Sequence, residues 1–267
     1  MPTLNSMEAK ITSTNNPKIK QLVRLHKASE RKAEGLFLVE GQKEIQAALN
    51  GGFQLHSLFI HENTGRLSDV QKSDVPCYWV SDTVYERISY GIDKEKVLAV
   101  FHSKEKSLAN LRVNSAQPLI IILERVEKPG NLGAIIRTAN AAGVDAVIVC
   151  DPQTDLYNPN VIRSSRGALF TTPLAIADSG SVYTWIKNQQ MKIASAALTS
   201  AAVSYYSYDF KQPLALIFGT EAQGLSEFWL SNSDVHLIIP MKGTADSLNV
   251  SVSAAIIIFE AIRQRSL

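Results

Sequence analysis

The run Ile239-Pro-Met-Lys-Gly-Thr-Ala-Asp-Ser247-Leu-Asn249-Val-Ser-Val252 decides how this chain is read. Its proline and glycine interrupt regular structure, and an apolar, helix-like segment follows at once, so a ligand loop opens onto a helix. The final helix is expected over Leu248 to Arg265, with Ser247 as a cap for its exposed amides. Ile239 and Leu248 are placed to wall a pocket, while Met241 and Gly243 shape the loop between them.

Two upstream segments share this grammar of small residues, one charge and an apolar flank. In Asn131-Leu-Gly-Ala-Ile-Ile-Arg137-Thr-Ala, Asn131 stands before a helix as its cap, and Gly133 permits close backbone approach. Arg137 lies among Ile135, Ile136, Ala139 and Ala142, whose spacing describes a buried helix face, so the cation needs either a partner such as Glu221 or a task. In Phe218-Gly-Thr-Glu221-Ala-Gln-Gly224-Leu-Ser, the glycines let main-chain groups approach a ligand closely.

From Pro118 onward the pattern is strand, helix, strand: Leu119 to Leu123, Leu132 to Ala142 closed by Gly143, then Ala146 to Cys150. Later strands are expected at Lys192 to Ala197, Leu214 to Phe218 and Val235 to Ile239, which makes an α/β domain with a mainly parallel sheet. Before it, an opening helix over 17 to 33 leads to strands at Leu36-Val39, Leu55-Ile60, Cys77-Val80 and Val97-Phe101, a smaller α/β domain. The polar stretch between them loses apolar periodicity, so the expected division is 1–103, a linker at 104–117, and 118–267.

With the three motifs in order and at this spacing, the chain resembles the SpoU family of the SPOUT superfamily. The resemblance implies a methyltransferase that moves a methyl group from S-adenosylmethionine to a ribose 2′-hydroxyl of RNA. It also implies a deep trefoil knot in the C-terminal domain, a homodimer, and an N-terminal domain similar to small ribosomal RNA-binding proteins, whose signature Gly35-Leu-Phe-Leu-Val-Glu-Gly41 matches. Carried onto this chain, it makes Asn131, Arg137, Glu221, Ser247 and Asn249 the catalytic set. The cofactor set is Leu198, Thr199, Phe218, Gly219, Glu221, Gly224, Ile239, Met241 and Leu248. Asn160-Val-Ile-Arg163-Ser-Ser-Arg166-Gly-Ala matches as well, which makes Arg163 and Arg166 candidates for RNA phosphate. Ribosomal RNA is the expected substrate; transfer RNA, or RNA binding without catalysis, are the alternatives.

Composition narrows the classes further. At 267 residues and 45% hydrophobic, the chain can bury a full core. Its longest aliphatic run, Leu119-Ile-Ile-Ile-Leu123, is too short to span a bilayer, and the N-terminus is not patterned like a signal peptide, so cytoplasmic residence without a membrane partner is expected. Cys77 and Cys150 form no Cys-x-x-Cys pair and the five histidines are scattered, which speaks against zinc or any other resident metal. Neither a dinucleotide-binding glycine fingerprint nor a phosphate-loop motif is present.

A net charge of +2 excludes a uniformly basic surface, yet the positive charge gathers near the start. Lys20, Arg24, Lys27 and Arg31 fall at i, i+4, i+7 and i+11, opposite Ile19, Leu22 and Val23, so a continuous helix presents them as one basic stripe for RNA phosphate.

Overall fold

The structure, a computed structural model, describes residues 7–64, 75–91, 95–221 and 223–266. Two compact units emerge: the first holds the described residues up to Lys104 together with Asp155–Thr171, the second Glu105–Thr154 and the chain from Thr172 onward. The segment 155–171, which carries Arg163 and Arg166, thus clusters with the N-terminal residues although it interrupts the C-terminal sequence.

The first unit begins with β1 (Met7–Ile11), α1 (Pro17–Arg24), α2 (Ala28–Glu34), β2 (Leu36–Glu40) and α3 (Gln42–Asn50). It continues with β3 (Leu55–His61), β4 (Cys77–Val80), α4 (Asp82–Ile88) and β5 (Val97–His102). Its five-stranded sheet runs β1-β4-β3-β5-β2, parallel around β4 and antiparallel around β5. The expected helix over 17–33 is two helices instead. Asn16 caps the first through Lys18 N at 2.9 Å, Pro17 occupies its first turn, and the chain breaks at Leu25–Lys27 before restarting.

That break turns Arg31 inward. Its side chain is 4% exposed, pairs with Asp155 at 2.6 Å, and donates to the carbonyls of Leu25 and His26 that the break leaves open. Arg31 therefore does not belong to a solvent-facing basic stripe. The reason is physical: an arginine's five donors can satisfy a helix end and a carboxylate together, which makes burial tolerable for this cation and not for an unpaired one.

The second unit contains β6 (Leu119–Glu124), α5 (Pro129–Ala142) and β7 (Ala146–Cys150), after which α6 (Pro159–Ser165) and α7 (Ala168–Thr171) return to the first unit. Then follow β8 (Leu174–Ala177), α8 (Ser179–Asn188), β9 (Lys192–Ala196), β10 (Val203–Ser204), β11 (Leu214–Phe218), α9 (Glu227–Asn232), β12 (Val235–Ile238) and α10 (Val250–Arg265). Seven strands form one parallel sheet in the order β10-β12-β9-β11-β6-β7-β8. Ile120, Ile121 and Ile122 are completely buried, as expected of a central parallel strand covered on both faces. No described helix is long and apolar enough to cross a membrane.

Candidate functional site

Four neighbouring strands of the parallel sheet, β12, β9, β11 and β6, hand the chain to loops at their carboxyl ends, where open α/β sheets place ligands. The loop after β9 carries Leu198 and Thr199, that after β11 Gly219 to Gly224, and that after β12 Ile239 to Asn249. They enclose a cavity of about 400 Å³. Leu198, Thr199, Phe218, Gly219, Glu221 and Gly224 all line it. Ile239, Met241, Ser247 and Leu248 complete the wall.

The loop after β11 closes on itself. Thr220 and Gly224 exchange backbone hydrogen bonds of 2.9 and 3.1 Å. An added Cβ at Gly219 would meet the Gly224 carbonyl oxygen at 2.2 Å, so only glycine lets this turn form. Gly224 itself has φ +68°, the left-handed region that glycine enters without strain. Thr199 presents the opposite signal: its hydroxyl is buried, lines the cavity, and has no hydrogen-bond partner among the described residues. A buried hydroxyl without a partner is costly, which marks the cavity as a place for a polar ligand.

Beside this cavity lies a smaller one of about 180 Å³ that shares Gly219, Thr220, Glu221 and Val250 with it and adds Lys128 and Asn131. Glu221 is the hub. One of its oxygens accepts from Asn131 Nδ2 and from Asn249 Nδ2, the latter at 2.7 Å; the other pairs with Lys128 Nζ. Asn249 Nδ2 also reaches Asn131 Oδ1 at 3.3 Å. A carboxylate that binds three donors holds both asparagine amides in fixed orientation, whereas amides left to themselves rotate freely.

Three local expectations change. The helix after β6 starts at Pro129 with Lys128 as N-cap residue, so Asn131 sits within the first turn and its side chain is free to meet Glu221 instead of capping. The last helix starts at Val250, and Asn249 caps it, its Oδ1 accepting from Ser251 N at 2.9 Å; Ser247 lies in the loop and lines the cavity. Arg137 is exposed, makes no ion pair among the described residues and lines neither cavity, while Glu221 pairs with Lys128. The apolar stripe of α5 is buried as the spacing indicates, but Arg137 projects from its edge.

Lys128 is the site residue that sequence reasoning passed over. The signal was present: a lysine directly before a proline marks the position preceding a helix start, where the chain is already committed to the site.

The remaining candidates lie in the first unit. Lys20, Arg24 and Lys27 are exposed, with Arg24 shared between Glu30 and Glu34 at 3.7 and 3.4 Å. Arg163 and Arg166 are exposed at another cavity of that unit. His61, Glu62 and Asp82 could in geometry hold a cation, but Lys96 pairs with Asp82 at 2.8 Å and Lys10 pairs with Glu62, so the positive charge is already supplied.

Residues 118–259 match the model of the SpoU rRNA Methylase family, and residues 16–99 match that of the MRM3-like substrate binding domain. The chain is 32% identical to 23S rRNA (guanosine(2553)-2′-O)-methyltransferase RlmP of Bacillus subtilis (strain 168), over 93% of this chain and 97% of that protein. It is 30% identical to the 23S rRNA (uridine(2479)-2′-O)-methyltransferase of Streptomyces viridochromogenes, over 96% and 92%. Among solved structures, an RNA 2′-O ribose methyltransferase superposes with a TM-score of 0.84 at 38% identity, covering 97% of this chain and all of that one. An AdoMet-bound rRNA methyltransferase from Sinorhizobium meliloti gives 0.87 at 27% identity, over 96% and 98%.

Proposed function

Because the chain belongs to the SpoU rRNA methylase family, we propose that it methylates a ribose 2′-hydroxyl of ribosomal RNA with S-adenosylmethionine as donor. The observation that carries this reading is the pair of adjoining cavities that share Glu221: one lined by Leu198, Ile239 and Leu248, a cradle of glycines and the orphan Thr199 hydroxyl, the other by Lys128, Asn131 and Glu221.

Bound in the larger cavity, S-adenosylmethionine supplies a methyl on a sulfonium, an intrinsically good leaving group. Leu198, Ile239 and Leu248 would flank its adenosine and Thr199 would meet a polar edge. The chain's task is then to bring the ribose oxygen in line with the methyl carbon, so that the O–C bond would form as the S–C bond broke, with the thioether as leaving group and the hydroxyl proton passing to an RNA phosphate oxygen. Glu221 holds Asn131 at the smaller cavity, where it would orient the ribose, while Asn249 braces the pair by donating to Glu221 and Asn131. Arg137, exposed and without an ion pair among the described residues, orients the ribose-phosphate through its fork; a guanidinium stays protonated at neutral pH, so orientation is its first role.

RNA is held by the first unit, with Lys20 and Arg24 on α1, Lys27 in the break before α2, Arg163 on α6 and Arg166 at its end meeting phosphate. In the same reading, residues 1–103 serve substrate binding, 104–117 link, and 118–267 perform catalysis, with 155–171 lending its arginines to the binding unit. The family fold implies the trefoil knot in the C-terminal segment. Exposed Val252 and Phe259, 46% and 49%, on α10 support a homodimer, since apolar groups on one helix favour a covering partner. Ribosomal RNA as substrate supports cytoplasmic residence.

The test is methyl transfer from labelled S-adenosylmethionine to RNA from cells lacking the gene, followed by nucleoside mass spectrometry. A new 2′-O-methylnucleoside in ribosomal RNA, absent with Arg137→Ala, is expected. Incorporation into transfer RNA alone would reassign the substrate, and none in either RNA, despite measured cofactor binding, would reject catalysis.

A further inference from the structure

The first unit holds a cavity of about 170 Å³ that methyl transfer does not use. It is below the roughly 300–1,000 Å³ of drug-sized sites, so it suits one ring system instead of a whole cofactor. Its wall is apolar and buried, built from Leu38, Leu98, Ile88 and Ile162. Tyr90 stands at its edge, 44% exposed, with its ring tilted against His26 at 5.3 Å between centroids.

Two cations and two carboxylates line this wall: Arg163 and Arg166, Glu44, and Glu40, whose Oε2 accepts from the backbone amides of Tyr90 and Gly91 at 3.1 Å. Arg163 is steadied by Asn160 Oδ1 at 3.1 Å and lies against Gly91, where an added Cβ would come within 2.9 Å of its Nη1. Arg166 ends α6 at φ +53°, a left-handed conformation unusual for a residue with a side chain. Among the described residues neither guanidinium is in an ion pair, and the Glu44 carboxylate, which lines the same cavity, has no hydrogen-bond partner. With Glu40 occupied by backbone amides, two guanidiniums outside any ion pair among the described residues, the Glu44 carboxylate and an apolar slot suit a ligand with an anionic part, a flat body and hydrogen-bond donors.

A nucleotide has all three, and the carboxylate chooses the base. Guanine offers two adjacent donors, N1–H and N2–H, that one carboxylate accepts together. Adenine and cytosine offer a single exocyclic amine, and uracil flanks its one N–H with two carbonyls that repel the carboxylate. We propose that this cavity accepts one unpaired guanosine of the RNA substrate, its base on the apolar wall beside Tyr90, its Watson–Crick edge on Glu44, and its phosphate against Arg163 and Arg166. The inference rests on the reading of the chain as an RNA-modifying enzyme, but its test does not pass through methyl transfer.

Binding of GMP to the full chain, saturated with S-adenosylhomocysteine to block the larger cavity, is compared by calorimetry with binding of AMP, CMP and UMP. GMP is expected to bind about tenfold more tightly than the other three, the scale of one bidentate base contact. Glu44→Gln, which keeps the shape but loses one acceptor, should erase the preference while the melting temperature stays unchanged. Arg163→Ala should weaken all four nucleotides together, and Arg166→Gly should do the same while keeping the left-handed backbone. No GMP binding at millimolar concentration, equal affinity for all four, or a preference that survives Glu44→Gln overturns the proposal. Guanosine selectivity together with no methyl incorporation into RNA would instead reject the catalytic reading and leave the cavity's assignment standing.

Discussion

The two units use charged residues in opposite ways. In the parallel-sheet unit, Lys128 and Asn131 from the start of α5 and Asn249 from the distant start of α10 meet on one carboxylate, Glu221. In the mixed-sheet unit, four cations that are evenly spaced along a short stretch are separated: Arg31 goes inside to Asp155, while Lys20, Arg24 and Lys27 stay in solvent. The sheet explains the first outcome, because neighbouring parallel strands deliver their loops to one edge whatever the sequence distance. Helical spacing governs the second only while the helix is continuous, and the short break at Leu25–Lys27 is enough to redirect a side chain.

The largest test of this contrast is Arg137→Ala. The side chain is exposed and without an ion pair among the described residues, so stability should change by less than about 0.5 kcal/mol while methyl transfer falls by about 10³-fold, the scale of removing a transition-state interaction. Parallel loss of both would return Arg137 to a structural role.

Arg31→Met should next cost about 3 kcal/mol of stability, because it strands a partly buried Asp155 and reopens the Leu25 and His26 carbonyls. Chemical denaturation reads this directly. An unchanged denaturation midpoint with weakened RNA binding would place Arg31 back among the phosphate-binding residues.

Gly219→Ala is a smaller perturbation at the other unit. Its Cβ must displace the Gly224 carbonyl, so cofactor affinity should drop by about tenfold, which corresponds to about 1.4 kcal/mol, with the β11 strand intact. Titration calorimetry with S-adenosylmethionine decides, and retained affinity would show that the loop is not a cofactor cradle.

The smallest effect per residue belongs to the exposed lysines. Replacing Lys20 and Lys27 with alanine should leave stability alone and lower the salt dependence of RNA binding by about 0.7 in log–log slope for each phosphate that is no longer neutralised. An identical slope in the double variant would mean that the helices do not touch RNA.

How much of the molecule is legible in its sequence differs by element. The strands Leu119–Glu124, Ala146–Cys150 and Leu214–Phe218 are continuous apolar runs, and burial on both faces leaves such a sequence little alternative. By contrast, β8 and the two-residue β10 are too short to declare themselves through periodicity. The grouping of Gly219, Glu221, Ile239 and Leu248 at one cavity was legible through the two motifs that are loops tied to strand ends, whereas Leu198 came from the family resemblance alone.

The sequence by itself determined the class of fold, the three loops and the residue types in them, since glycine, proline and apolar runs act through local backbone geometry. Only the tertiary structure decided which donors reach Glu221, that Asn249 and not Ser247 caps the last helix, that Arg31 is buried and Arg137 exposed, and that 155–171 joins the first unit. Those outcomes depend on which groups are brought within a few ångströms across long separations in the chain, and a local pattern holds no record of the partner that will arrive.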